Sequence, residues 1–306
     1  MVTVTRARQA VAERQAVSAN ERPGRRSSIL AIGTAVPGPG RSQTELVEFM
    51  KRAHGADARL ARRLDVLYRH SGIETRHSCL EDFSRSPGEF TFFPPHWAGT
   101  LPTTSDRMLI YRRAGLPLAL QAIESALASR PGLDLQRVNH LVVASCTGFY
   151  APGLDVELTA SLGLSRSVAR TLVGFQGCHA GLTSLRIADG ICRADPSALA
   201  LVICLELCTL HFQITPSEDN LLANSLFADG ASALLVGGAE WGAERSLFAG
   251  NDGGAPRLEI AGTGSWLEPG TEGEMAWELG ETGFQMRLSG LVPRILGLNV
   301  GQFLAS

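Results

Sequence analysis

Thr171-Leu-Val-Gly-Phe-Gln-Gly-Cys-His-Ala-Gly181 decides how this chain is read. An apolar run leads into a small-residue turn, and the turn leads into a helical pattern. That layout puts the Cys178 thiol where a strand becomes the N-terminus of a buried helix. Backbone N–H groups and the positive end of the helix dipole favour a thiolate there. A thiolate held this way can carry an acyl group. The competing reading is an inert buried cysteine, the common state of a free Cys in an apolar run. Adjacent His179 is a poor general base for it, because neighbouring helix positions point about 100° apart. No later histidine follows His211.

Outward from Cys178 the pattern is strand and helix in alternation. His140-Leu-Val-Val-Ala-Ser-Cys146 and the run from Ala198 to Cys208 read as buried strands, with a helix over 153–162 and a short strand over 171–175 between them. The Cys178 helix ends before Asp195-Pro196. Upstream, Ser28-Ile-Leu-Ala-Ile-Gly33 is a further strand, residues 43–52 and Arg59 to Tyr68 read as helices, and Arg107 to Ser129 as a long one. Residues 84–106, rich in Pro, Gly and aromatics, are expected to loop over the surface. Asp229 to Gly237 turns into another strand. Near-continuous apolar strands between helices imply a mixed sheet covered on both faces. A second unit is predicted near Arg257, with strands over 257–264, 275–279 and 283–288 and a helix from Val292. Ile295, Leu296, Val300 and Phe303 read as its buried face. The pattern stops at Ser306 in mid-helix, so this second half reads as incomplete.

Composition excludes several classes. The 306 residues are 44% hydrophobic and 19% charged with formal net charge -2, an ordinary globular balance with no bulk attraction to nucleic acid. No apolar run is long enough for a membrane span. Six cysteines in mostly apolar stretches, with no signal peptide ahead of them, point to free thiols in a reducing cytoplasm. Residues 1–28 are Arg-rich and acid-poor; a transit peptide fits that composition, but a disordered N-terminal extension fits it better. No Gly-rich phosphate loop with a Lys-Ser/Thr ending is present, so nucleotide hydrolysis has no support.

Seven segments, in order, resemble the type III polyketide synthases, the chalcone and stilbene synthase-like branch of the thiolase fold, in their bacterial form. They are Ile29-Leu-Ala-Ile-Gly-Thr-Ala-Val-Pro37, Ser71-Gly-Ile-Glu-Thr-Arg-His77, Cys146-Thr-Gly-Phe-Tyr-Ala-Pro-Gly-Leu-Asp155, Gly174 to Gly181, Val202 to Phe212, Leu226-Phe-Ala-Asp-Gly-Ala-Ser-Ala233 and Met275 to Phe284. The resemblance implies an α/β, thiolase-like fold of two related halves: 29–249 carrying the nucleophile and 250–306 a partial second half. It implies an acyltransferase that loads an acyl-CoA starter on Cys178 and condenses it with malonyl-CoA by decarboxylation, giving polyketides such as alkylpyrones or alkylresorcinols. It implies a homodimer, with no metal and no bound organic cofactor. Phe227 and Phe284 fall on two gatekeeper positions. Cys146, Thr147, Cys208, His211 and Met275 fall on the substrate cavity, Ala151 on the point where one subunit reaches its partner, and Arg62, Arg63 and Arg69 near the CoA phosphates.

The family takes a catalytic His and Asn from later segments that have no counterpart here, so this chain is expected to be impaired in condensation. Two alternatives remain open: a 3-oxoacyl-acyl-carrier-protein synthase III-like enzyme, and a non-catalytic dimerisation or binding remnant. Without the resemblance, Phe227 and Phe284 would read as plain core, and the Arg62 cluster as a solvated helix face. Cys204, Glu206 and Cys208 alternate along a strand and share a face. Zinc is a poor fit to that spacing, and a buried Glu206 in a polar network beside a cavity-lining Cys208 fits better.

Overall fold

The computed structural model describes residues 26–243 and 258–305. The expected N-terminal extension, as far as residue 25, and the boundary after residue 249 lie outside the described residues. The strands are Ser28–Ala35 (β1), Arg41–Ser42 (β2), Thr75–Arg76 (β3), His140–Ser145 (β4), Ala169–Gly174 (β5), Leu199–Leu207 (β6), Asp229–Gly237 (β7), Leu258–Glu259 (β8), Met275–Gly280 (β9) and Gly283–Leu288 (β10). The helices are Gln43–Ala53 (α1), Ala58–Arg69 (α2), Thr104–Ala128 (α3), Leu154–Ser161 (α4), Ala180–Ala194 (α5), Glu218–Leu226 (α6), Ala239–Ala243 (α7) and Val292–Ala305 (α8). Among them no helix is long and apolar enough to cross a membrane.

β6 is apolar on both faces, with Leu199 to Ile203 fully buried, so it needs cover on both sides. It sits inside a mixed six-stranded sheet of order β5-β4-β6-β7-β1-β8. β4 runs parallel to β5 and β6; β7 runs antiparallel to β6 and β1. Alternation along β6 sends Leu201, Ile203 and Leu205 to one face, where Leu118, Ala119, Ala122 and Ile123 of α3 meet them. Ala200 and Val202 go to the other face, against Ala188 and Cys192 of α5. Each fully buried leucine or isoleucine contributes on the order of 2 kcal/mol, an upper figure. Gly33 lets β1 touch the α3 backbone, since a Cβ there would sit 2.0 Å from the Ala126 nitrogen.

Helix starts follow their caps. Ser42 and Glu45 form a capping box at α1, Thr103 and Asp106 one at α3, and the Ser217 hydroxyl accepts from Asn220 N at α6.

Three expectations are corrected. Residues 84–106 do more than loop over the surface: Phe90 and Phe93 are buried, joining Phe49, Phe83, Trp97 and Phe212 in an aromatic cluster, while the rest of the segment stays exposed or half-buried. The fully buried Asp82 carboxylate holds that segment down, accepting from the backbone nitrogens of Thr91, Phe92 and Phe93 at 2.9, 3.0 and 2.7 Å. No residue of α8 is buried, because no described element packs over Leu296 or Val300. Of the strand expected over 257–264, only Leu258–Glu259 pairs, and it joins β1 of the first sheet. β9 and β10 form their own two-stranded sheet, docked by backbone and side-chain bonds from Thr104 at the start of α3.

Candidate active site

β5 and α5 are joined by a tight reversal. Phe175 takes φ 51° and Gly177 φ 71°, and a 3-10 turn over Gly177–His179 leads into α5. Left-handed backbone suits Gly177 and is uncommon for Phe175. The reversal leaves Cys178 exposed on the wall of a cavity of about 580 Å³. Cys146, Thr147, Cys208, His211, Phe227 and Met275 lie on the same wall, together with Glu206. β4, β6, α6 and β9 therefore each contribute terminal or neighbouring residues to one space, from Cys146 to Met275 in the chain.

Glu206 organises the polar side. Its carboxylate accepts from Thr147 Oγ1 at 2.6 Å and from Cys146 N at 2.9 Å. Thr147 Oγ1 in turn accepts from Leu207 N at 2.8 Å. These bonds favour the ionised form, yet burial outweighs them and raises the Glu206 pKa to about 7. The thiols feel the consequence. Burial first, and then the Glu206 charge, raises the pKa of both Cys178 and Cys146. Cys208 is pushed well up, again by burial first and Glu206 second. The turn-to-helix position was expected to favour a thiolate at Cys178. The backbone N–H of Cys178 does act in that direction, but burial and Glu206 outweigh it.

His211 has no free nitrogen. Phe284 N donates to Nδ1 at 2.9 Å, so Nδ1 is the acceptor and Nε2 carries the proton it gives to Thr147 O at 2.7 Å. Burial, followed at a distance by the Arg107 charge, lowers its pKa to about 4. The imidazole is a neutral wall and not a base. Phe284 is fully buried and stacks behind it at 4.0 Å; it is not on the cavity wall.

The remaining expected residues scatter. Arg62, Arg63 and Arg69 are exposed on α2 and none reaches the wall. Arg63 pairs with Glu218 at 2.8 Å, at the start of α6, whose Asn220 and Asn224 do line the cavity. Ala151 is exposed and off the wall, as is His179. Cys204 lies off the wall, while Glu206 and Cys208 are on it.

Among the wall residues that escaped the sequence reading, Trp277 and Arg76 matter most. Trp277 Nε1 donates to Cys146 O at 2.6 Å and ties the β9–β10 hairpin to the thiol segment. Its alternation with Met275 along one strand face is the signal that could have found it. Arg76 also lines the cavity; it lies inside the 71–77 segment, whose resemblance assigns it no role.

Residues 13–240 match the N-terminal domain of chalcone and stilbene synthases. The chain is 30% identical over 277 residues to the probable polyketide synthase 1 of Dictyostelium discoideum, covering 90% of this chain and 8% of that protein. It is 34% identical over 178 residues to the alpha-pyrone synthesis polyketide synthase-like Pks18 of Mycobacterium tuberculosis, covering 58% of this chain and 43% of that one. The chain thus spans less than half the length of either relative. The crystal structure of PKS-I from the brown alga Ectocarpus siliculosus superposes with TM-score 0.80 at 27% identity, over 93% of this chain and 73% of that one. The fold is thiolase-like, as expected.

Proposed function

This chain belongs to the chalcone and stilbene synthase family, a family of type III polyketide synthases, and from that premise we propose that it is an acyltransferase using Cys178 as its nucleophile. The observation that carries the reading is the exposed Cys178 thiol on a cavity large enough for an acyl chain, at the turn into α5. The thiolate attacks the carbonyl of an acyl-CoA, CoA leaves as its thiolate, and the acyl group becomes a thioester on Sγ. Malonyl-CoA then loses carbon dioxide, and its enolate carbon attacks that thioester. Cys178 leaves, and the product is a 3-oxoacyl-CoA two carbons longer. Repetition and ring closure would give polyketides such as alkylpyrones or alkylresorcinols. The scheme asks for no resident metal or organic cofactor.

The condensing step needs more than the nucleophile. The oxyanion of a decarboxylating thioester needs fixed donors, a contribution of several kcal/mol. His211 has both nitrogens engaged and is not free to act as one of them.

A homodimer is part of the proposal. β5 pairs only with β4 among the described residues, so its other edge is open. Leu172 on that strand is 59% exposed and Leu182 on α5 is 72% exposed, and Phe149 and Phe175 lie exposed nearby. A second copy pairing along β5 would cover them. The six free thiols support a reducing, cytoplasmic setting.

The test is intact-protein mass after mixing with a long-chain acyl-CoA, with Cys178→Ala as the control, followed by malonyl-CoA and product analysis. An acyl adduct that the variant lacks supports the nucleophile. No adduct on folded protein ends the reading.

A further inference from the structure

A second cavity, of about 500 Å³, lies beside the first. It is walled by the turn after β1, by β3 and the segment that follows it, and by Leu46, Leu80 and Ala114. Four residues belong to both walls: Arg76, Phe83, Thr209 and Phe227. The two spaces are therefore adjacent compartments that share these side chains as a wall, and Phe227 joins that wall from the end of α6.

Phe227 is the residue that closes α6. Its backbone is extended, with φ -79° and ψ 148°, and its N–H bonds Ala223 O at 3.0 Å. Its carbonyl is held by one side chain. Arg76 Nη1 donates to Phe227 O at 2.9 Å and to Asn224 O at 2.8 Å, taking two of the carbonyls that a helix C-terminus leaves without partners. Arg76 is itself fixed. Its Nε donates to Gln43 Oε1 at 2.9 Å, and its guanidinium lies over the Tyr68 ring, 5.3 Å from the centroid. Gln43 Nε2 donates to Ser225 O at 3.0 Å, and Tyr68 OH donates to Asn224 O at 2.8 Å. Arg76, Gln43 and Tyr68 are all more than nine-tenths buried.

The cost of this arrangement is its argument. A guanidinium is expensive to bury, and burial lowers the Arg76 pKa. No carboxylate bonds it among the described residues, and its Nη2 has no partner at all. Burying a cation on neutral carbonyls, where an apolar contact would pack as well, gives the end of α6 one defined position.

We propose that Arg76 is a positioning residue for the acyl-transfer reaction: by holding the Phe227 carbonyl it keeps the phenyl ring between the two cavities, and so sets how long an acyl chain Cys178 accepts. With the ring in place, the reaction cavity ends at Phe227. With the clamp released, the ring shifts, the second cavity becomes continuous with the first, and the space open to an alkyl tail nearly doubles. The second cavity is then the compartment for the distal end of a long-chain acyl group. This inference rests on the proposed role of Cys178.

The experiment measures loading of hexanoyl-CoA and hexadecanoyl-CoA onto Cys178 of the full chain by intact-protein mass spectrometry. The readout is the ratio of the two rates, which a loss of stability alone does not change. Phe227→Ala and Arg76→Met are each expected to raise the long-to-short ratio about tenfold, the effect of roughly two more buried methylene groups. Arg76→Lys, which keeps a donor within reach of one carbonyl, should restore much of the original ratio. A folded Arg76→Met protein with the original ratio, or an unchanged ratio in Phe227→Ala, overturns the inference. If Arg76→Met does not fold, Gln43→Leu loosens the same clamp and must shift the ratio in the same direction. Failure of Cys178 to load either substrate is a different result, and removes the proposed function together with this inference.

Discussion

The His211 imidazole lies 4.0 Å from the Phe284 ring and 10° from parallel to it, and its Nδ1 accepts the backbone N–H of Phe284. One strand residue thus holds the ring from its face and from its edge, and the Thr147 carbonyl takes the remaining nitrogen. A histidine bound this way must be neutral, which gives the fold a pH dependence of its own.

In the folded chain His211 has a pKa of about 4, against about 6.5 when unfolded. The unfolded state therefore binds the extra proton between those values, and stability falls as pH drops from about 6.5 towards 4. The loss should approach about 3 kcal/mol at the acid end. Urea unfolding from pH 4 to pH 7 should show this slope in the parent and a shallower one in His211→Gln. Parallel slopes would remove the assignment of His211 as a neutral wall.

Glu206 restrains the thiols. In Glu206→Gln the charge that raises the Cys178 pKa is gone while a side-chain acceptor for Cys146 N remains. Alkylation of Cys178 by iodoacetamide at pH 7.5 should be measurably faster than in the parent. The gap between variant and parent should close below pH 7, where Glu206 is protonated in the parent. An unchanged rate at pH 7.5 would mean that burial alone sets the thiol.

Trp277→Phe keeps the aromatic contacts to His211 and Phe284 and removes the bond to Cys146 O. It leaves a partly buried carbonyl without that donor, so the expected destabilisation is about 1–2 kcal/mol. Denaturant unfolding measures it. Acyl loading on Cys178 should slow in the same variant, because the thiol segment loses its tie to β9.

At the proposed dimer edge, Leu172→Arg and Leu182→Glu put charges into the surface a second copy would cover. Sedimentation should find the parent dimeric and the double variant shifted towards monomer. A parent that sediments as a monomer at micromolar concentration ends this part of the proposal.

The elements around the nucleophile were legible because each has a local cause. Continuous apolar runs gave β4 and β6, the Gly-Cys turn gave the junction into α5, and Pro131-Gly132 marked the end of α3. Seven of the wall residues carry motif positions and were found that way. The buried anchors Phe90 and Phe93 were not legible because they depend on Asp82, whose carboxylate bonds backbone groups about ten residues on. Composition carries no trace of that bond. α8 was misread for the opposite reason: a helical apolar stripe states which face could be buried and says nothing about whether a neighbour covers it.

Sequence by itself determined the alternation of strand and helix, the family and the candidate nucleophile, because periodicity and turn chemistry act over a few residues. Only tertiary structure decided what surrounds Cys178. Glu206 raising the thiol, His211 with both nitrogens engaged, Phe284 behind the wall and Arg76 holding Phe227 are relations between residues roughly 30 to 150 positions apart. They exist because low-dielectric burial turns distant charges and donors into neighbours, and pKa values and ring positions follow from those neighbours and not from the local chain.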